Sequence, residues 1–312
     1  MEFKRFNKTI LLQINKLYNY DNWHAVCALL MDYALIVLAV ILSEYSYYFM
    51  PLSLLIIGSR QRALATILHE ASHGALTKNK TLGRALGTYF SGYLIFQTWE
   101  SYKESHVYYH HQKLGTQLDP DFSFYKDSGI YEFHTRKSYF WKFFVSRLLF
   151  LNAFSSLKYL LVNRLLIKSN KKELVKIAII HLLAICILDY SHNLEWYFIY
   201  WLLPYLTVFQ SITWFIELAE HYPMIKDASS NLYASRNRYS HWLEHFFTGM
   251  HNENYHLIHH LFPAIPFWNL KKAHNILLQD EEYAAVNRNF GGIFLSKNSV
   301  KSMWRQLWEI KS

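Results

Sequence analysis

Histidine is the residue of this chain whose number and spacing most directly suggest chemistry, with 17 among 312 residues. His69 and His73 stand four apart in the run His69-Glu70-Ala71-Ser72-His73. On an α-helix, positions i and i+4 share a face with Cβ atoms about 5–6 Å apart, so both imidazoles can reach one metal ion. That pair alone is weak evidence, because the same HExxH spacing marks zinc proteases, where the Glu is the base. A second cluster, His106, His110 and His111, is followed by Asp119 and Asp121. His106 and His110 share a helical face, while the 3.6-residue period turns His111 about 100° away. His111 is therefore expected either to point at a second ion or to sit on a distorted helix. The third cluster, His256, His259 and His260, forms one stripe at i, i+3 and i+4. A lone histidine in such a place is more often a satisfied core residue than a ligand. Three clusters at metal-binding spacing do not fit that plain reading.

Imidazole suits Fe, Zn, Cu and Ni. Ring N–H groups on such ligands are commonly oriented by carboxylates or amides behind them. Glu70, Glu217, Glu220, Asp119, Asp121 and Asn254 are the candidates for that role, although a solvated or capping role suits each of them as well. The other histidines have plainer expectations. His24, His134, His192 and His274 belong to interfaces or loops, and His181 faces a helix bundle. His241 and His245, four apart, are more readily structural than ligating. Asp32 lies in an apolar stretch, where a carboxylate is costly and marks either function or an ion pair with a neighbour.

The elements that must position these residues follow from composition. The chain is 52% hydrophobic, 18% aromatic and 18% charged, whereas a soluble domain averages about 25% charged residues. It has 32 Lys and Arg and a net charge of +9, yet no cation lies between residues 17 and 59 or between 177 and 225. Each gap accommodates two helical crossings of roughly 20 residues. Cations crowd the remaining segments, which is the positive-inside pattern and places both termini and the long middle segment in the cytoplasm.

An all-α, multi-pass membrane protein of one domain, 1–312, is predicted. Its four transmembrane helices, 23–42, 47–68, 174–187 and 196–218, form two hairpins, and a cytoplasmic helical cap holds the histidines. Residues 82–99, apolar but interrupted by Gly83, Gly87 and Gly92, are read as re-entrant, because a full crossing would separate the histidine clusters. Residues 131–168 suit a helix lying among lipid headgroups, and 239–261 is expected to be helical. No cleavable leader is apparent, so the first apolar helix is an anchor. Cys27 and Cys186 form no CxxC pair and offer no thiolate site. No nucleic-acid partner is expected.

With these residues in view, the chain resembles the integral-membrane fatty acid desaturases and hydroxylases. Their three histidine boxes match His69/His73, His106/His110/His111 and His256/His259/His260, in that order, with membrane hairpins between. The run from Asn254-Tyr255-His256 to His259-His260-Leu261-Phe262-Pro263 looks especially like the family's third box. His221, in Glu220-His221-Tyr222, matches a further family histidine after the last crossing. Box two departs from many acyl desaturases in having three residues between its first two histidines. The segment 262–270, with Pro266-Phe267-Trp268-Asn269-Leu270, also resembles the alkane hydroxylase, carotenoid ketolase and dihydrorhizobitoxine desaturase branches.

The resemblance implies nine ligands for two non-haem iron ions, with O₂ as co-substrate and oxidation of an unactivated C–H bond. Nine nitrogens exceed the needs of one tetrahedral zinc but suit two ions of higher coordination. Desaturation of a lipid or lipid-like hydrocarbon chain is the expected reaction, with hydroxylation the alternative. The chain has no flavin, haem or iron–sulfur motif, so electrons are expected from a separate ferredoxin, rubredoxin or cytochrome b5-like donor with its reductase. The basic segment 136–176 is the expected docking surface for that donor or for anionic membrane lipid. A membrane zinc protease using Glu70 and Asp119 would leave most of the histidines idle, and a metal carrier would need more polar residues along the crossings.

Overall fold

The computed structural model describes residues 2–132, 136–168, 171–297 and 299–310. Among them the chain is helical, with no β-strand and one isolated bridge between Glu2 and Ser230. The helix Trp23–Tyr45 has 23 residues and a mean hydropathy of 2.6, with only 28% of its most apolar window buried. Leu30, Val37, Leu38 and Ile41 face outward on it. A helix that is apolar all round belongs in a large core or a bilayer.

The next long helix, Met50–Ser72, carries Pro51 in its first turn, where the missing N–H costs nothing. From residue 57 to residue 72 every side chain but His69 is buried, including Arg60, Gln61, Arg62 and Glu70. Polar residues in this helix therefore face protein. Asp32, fully buried, accepts from Arg60 at 3.2 Å and from His251 at 2.8 Å. The ion-pair reading of Asp32 is the one that holds. Gly58 lets the helix Leu194–His221 approach closely, since a Cβ there would stand 2.6 Å from that of Val208.

Two short elements, Lys80–Thr88 and the turn Gly92–Ile95, occupy the glycine-punctuated segment. Neither has the roughly 20 residues that a crossing requires. Asn79 caps the first of them by accepting from Thr81 and Leu82. Residues 131–168 differ from the single interfacial helix expected. They contain two helices, Ser138–Leu148 and Ala153–Leu166, bent by 71°. The break contains Phe150 at φ 59°, a left-handed conformation that interrupts an α-helix. His134 lies outside the described residues.

Lys171–Tyr190 has 20 residues, but four of its first six are charged (Lys171, Lys172, Glu173 and Lys176). Leu194–His221 has 28 residues and a mean hydropathy of 1.3. By length and composition Trp23–Tyr45 and Leu194–His221 can cross a membrane, and the bent pair makes a third span if it counts as one. Two or three candidate spans thus stand where four were expected. The other two helices fall short because charged residues interrupt them. His181 packs inward as expected, between the Tyr93 carbonyl at 3.0 Å and the Tyr197 hydroxyl at 2.8 Å. Cys27 and Cys186 are unpaired and exposed.

Residues 239–261 are not one helix. Trp242–Thr248 and His256–Leu261 are separated by a tight segment, Met250–Tyr255, in which His251 and Asn252 have φ of 50° and 59°. Gly249 ends the first helix and Asn252 tolerates the left-handed turn. His241 and His245 do not form a pair site. His241 caps the Trp242–Thr248 helix by accepting from Leu243, and His245 Nε2 accepts the N–H of Ser240 at 3.0 Å. Glu244 accepts three backbone N–H groups, from Ile293, Phe294 and Leu295, at 2.6–2.9 Å, which folds the C-terminal segment back onto this helix.

Candidate metal centre

Four separate stretches of chain bring histidines together near the end of the Met50–Ser72 helix. His69 stands on its last turn and His73 at its C-cap. Gly87 seats the neighbouring short helix against that turn, because a Cβ would come within 2.5 Å of the Ala71 Cβ. His106, His110 and His111 come from Lys103–His111, His221 from the end of Leu194–His221, and His256, His259 and His260 from His256–Leu261.

The nine histidines sort into two groups. One nitrogen from each of His69, His73, His106, His111 and His259 lies within 4.8 Å of the others, and the same holds for His110, His221, His256 and His260. In the first group His111 Nε2 is 3.2 Å from His106 Nε2 and 3.1 Å from His259 Nε2. In the second, His256 Nε2 is 2.9 Å from His221 Nε2 and 3.0 Å from His260 Nε2. The Nε2 atoms of His69 and His73 are buried without a hydrogen-bond partner. An orphaned buried polar atom costs about 1–3 kcal/mol. A cation at the centre of each group would satisfy these converging lone pairs together, so the donor set fits two metal ions.

Box two departs from the expected geometry. Lys103–His111 is wound as a π-helix, whose i→i+5 hydrogen bonds bring residues five apart into register. His106 therefore joins His111 across five positions, and His110 turns to the second group. The helix is distorted, as one of the two sequence readings allowed, with His111 beside His106, while His110 stands near both His106 and the second group. Box three is shared too, with His259 in one group and His256 and His260 in the other.

Most of the candidate supporting residues stand behind the rings. His69 Nδ1 is 3.0 Å from Glu70, His110 Nδ1 is 3.0 Å from Asp119 and 3.2 Å from Asp121, and His256 Nδ1 is 3.4 Å from Glu220. His221 Nδ1 lies 3.0 Å from the Ala234 carbonyl. Among the described residues Asn254 makes no hydrogen bond to an imidazole. It donates to the Arg238 carbonyl at 3.1 Å, holding the preceding strand of chain instead. Glu217 lines the cavity beside the rings, its carboxylate accepting from Tyr125 at 3.5 Å.

Burial and the neighbouring rings hold His106, His111, His256, His259 and His260 well below the usual histidine range, so these side chains are neutral donors. His110 behaves differently. Burial opposes its charged form, but Asp119 and Asp121 outweigh burial and push it up to about 9. The two carboxylates thereby make it the most basic ring of the set.

Sequence reasoning did not find the cations behind the carboxylates. Arg164 pairs with Asp121 at 3.0 Å and bonds Ser105, Arg238 pairs with Glu220 at 3.0 Å, and Arg62 pairs with Glu253 at 3.1 Å. Tyr159 also donates to Asp121. The available signal was a single arginine inside the apolar run Leu160-Leu161-Val162-Asn163-Arg164-Leu165-Leu166, where a charge needs a reason. A cavity opens beside both histidine groups, reached by His69, His106, His110, His221, His256 and His259.

Comparison with known proteins agrees with this geometry. The family model described as fatty acid desaturase matches residues 45–291. The chain is also similar to a dihydrorhizobitoxine desaturase of Bradyrhizobium elkanii, at 38% identity over 304 residues, covering 94% of this chain and 86% of that protein.

Proposed function

The chain belongs to the fatty acid desaturase family, and we propose that its nine converging histidines hold two iron ions at which the hydrocarbon part of a lipid-like substrate is desaturated. It is an enzyme, a desaturase-like oxidoreductase. When bound, the two irons would supply the power to use O₂ against an unactivated C–H bond. The balance is one CH–CH unit, O₂, two electrons and two protons giving one C=C bond and two waters.

The chain's own residues do the rest. The imidazoles offer their Nε2 lone pairs, and Glu70, Asp119, Asp121 and Glu220 fix the rings from behind through Nδ1. Such orienting partners raise ligand basicity and hold the tautomer. Burial of the site excludes bulk water from the reacting carbons. Because the sequence has no motif for a redox group of its own, the electrons come from a separate ferredoxin, rubredoxin or cytochrome b5-like protein.

The membrane arrangement is four crossings in two hairpins, with both termini and the centre on the cytoplasmic side. The buried charges of Met50–Ser72 are compatible with a crossing because they pair inside the protein rather than face lipid. The lysines that open Lys171–Tyr190 suit an interface, where long cationic side chains reach for headgroups.

The observation that carries this reading is the division of nine histidines into groups of five and four. Purified protein should contain about two irons per chain, and His73→Ala and His260→Ala should each lower that content and abolish turnover. One zinc and no iron would overturn the reading. The same preparation given NAD(P)H without an added donor protein should be inactive, and activity there would remove the need for a partner.

A further inference from the structure

The electrons that the reaction consumes arrive from outside the chain. Electron transfer through protein weakens steeply with distance, so a histidine of the metal centre that also reaches the surface is a natural port of entry. His73 is such a residue. It is half-buried, and its Nε2 is buried without a partner within the group of five. The same residue forms part of the wall of an open groove at the end of the Met50–Ser72 helix.

The groove is basic. Lys80, Arg84 and Lys103 line it together with Trp99, and among the described residues no carboxylate does. Lys80 is fixed at the rim, donating to the carbonyls of Gly74 at 2.6 Å and Thr77 at 2.9 Å and standing over the Tyr20 ring. Arg84 lies over the Trp99 ring and pairs with Glu100 at 3.1 Å. Both members of that pair are exposed, and such pairs contribute little. Glu104, next to Lys103 in the chain, is taken by Lys168 at 2.9 Å. Among the described residues no carboxylate comes within ion-pair distance of Lys80 or Lys103. The groove thus keeps a net positive charge, part of it held in place beforehand, which lowers the cost of engaging a partner.

The basic segment 136–176 suits a docking role less well than its composition implies. Arg147 and Arg164 are buried, and Arg164 is committed to Asp121. Lys168 is paired with Glu104, and Lys176 donates to the Tyr89 hydroxyl at 2.7 Å. The bend between the two helices presents Leu149, Leu151 and Phe154 outward. Such an apolar edge fits lipid better than an acidic soluble protein.

We infer that the groove beside His73 is where an acidic electron-carrier protein docks, with Lys80, Arg84 and Lys103 meeting its carboxylates and His73 leading the electron into the group of five. The assignment rests on the histidines being the metal centre and adds the place where its electrons enter. Each docking oxidises one carrier by one electron and reduces the centre by one. Two dockings supply the two electrons of the balance given above, and the two protons come from water. Attraction between opposite charges speeds encounter more than it tightens a complex, which suits a partner that must leave after giving up one electron.

Three acidic carriers, a rubredoxin, a plant-type ferredoxin and the soluble domain of cytochrome b5, test it. Each is mixed pre-reduced with the iron-loaded full chain in discs of zwitterionic lipid, and its oxidation is followed by stopped flow. Association is measured separately on a biosensor, with and without iron. At least one carrier should associate and be oxidised, at a rate that falls at least about tenfold as salt rises from about 0.01 M to about 1 M. Arg84→Glu combined with Lys103→Glu should slow that association at least about tenfold while iron content stays unchanged. Lys158→Glu combined with Lys172→Glu, at exposed positions of the segment 136–176, should leave it nearly unchanged. Should the first pair fail to fold, Lys103→Gln replaces it and should slow association in the same direction. Association with none of the carriers, rates indifferent to salt, or slowing by the second pair and not the first would overturn the assignment. If the first pair weakens only retention on vesicles containing phosphatidylglycerol, the groove holds lipid headgroups and the assignment falls. Two irons with association indifferent to the groove sinks the docking face alone, and groove-dependent association by a chain that takes up no iron sinks the metal reading alone.

Discussion

Asp119 does several things at once. One oxygen faces His110 Nδ1 at 3.0 Å and caps the helix Pro120–Asp127, and the other accepts from Gly115. Asparagine can also cap a helix, so Asp119→Asn isolates the loss of charge behind His110. Metal affinity should fall about 10–100-fold with the helix intact, as read by competition with a chelator and by circular dichroism. His245 provides a test by pH. Burial, then Arg238 and Lys297, pull it down to about 4, and its Nε2 must stay unprotonated to accept from Ser240. The unfolded ring titrates near 6.5, so the unfolded chain binds the proton first and stability is lost as pH falls from about 6.5 toward 4. Thermal unfolding between pH 7 and 5 should therefore show a steeper acid loss in the parent than in His245→Asn. At this scale the sequence was read well where helical spacing is regular, as in His69 and His73. For His110 and His111 it left a distorted helix open without saying which ring would turn, because a local change of winding leaves no mark in residue type. For Asn254 a role away from the rings was left open, and its amide serves a backbone carbonyl.

Between elements, the tie that matters most is Asp32 with Arg60 and His251. It joins Trp23–Tyr45 to Met50–Ser72 and pins the left-handed segment from which His256–Leu261 departs. Removing one member of a buried pair leaves the other charge uncompensated, at about 3–5 kcal/mol. Asp32→Asn should lower the unfolding midpoint substantially and loosen the third histidine box, which hydrogen exchange over residues 250–261 would register as faster exchange. No change in exchange there would show that the tie serves only the two long helices. The carboxylate was noticeable in the sequence because it interrupts an apolar run. Its partners were not, since they lie 28 and 219 positions away. The broken helices at residues 149–152 and 249–255 were also missed. Gly249 and Asn252 were available as stop signals, but the periodic histidines around them suggested continuity.

For the whole molecule, charge placement is the strongest guide to topology. Accessibility tags at either terminus and at Ser128 should report the cytoplasm, and one at His192 the opposite side. An external tag at Ser128 would put box two and box three on different faces and end the four-crossing arrangement. The all-helical class and the convergence of the histidines followed from periodicity and spacing. The number of spans rests on charge placement, because buried ion pairs and lipid-facing residues can share one helix. The distribution of the ligand candidates along the chain also orders events in time. His69 and His73 lie in the first quarter, yet His256, His259 and His260 lie in the last fifth. Until residue 260 has left the ribosome, the group of five lacks one member and the group of four lacks two. A nascent chain therefore commits its apolar helices to the bilayer well before it owns a complete place for metal. Loading belongs to the finished, inserted protein.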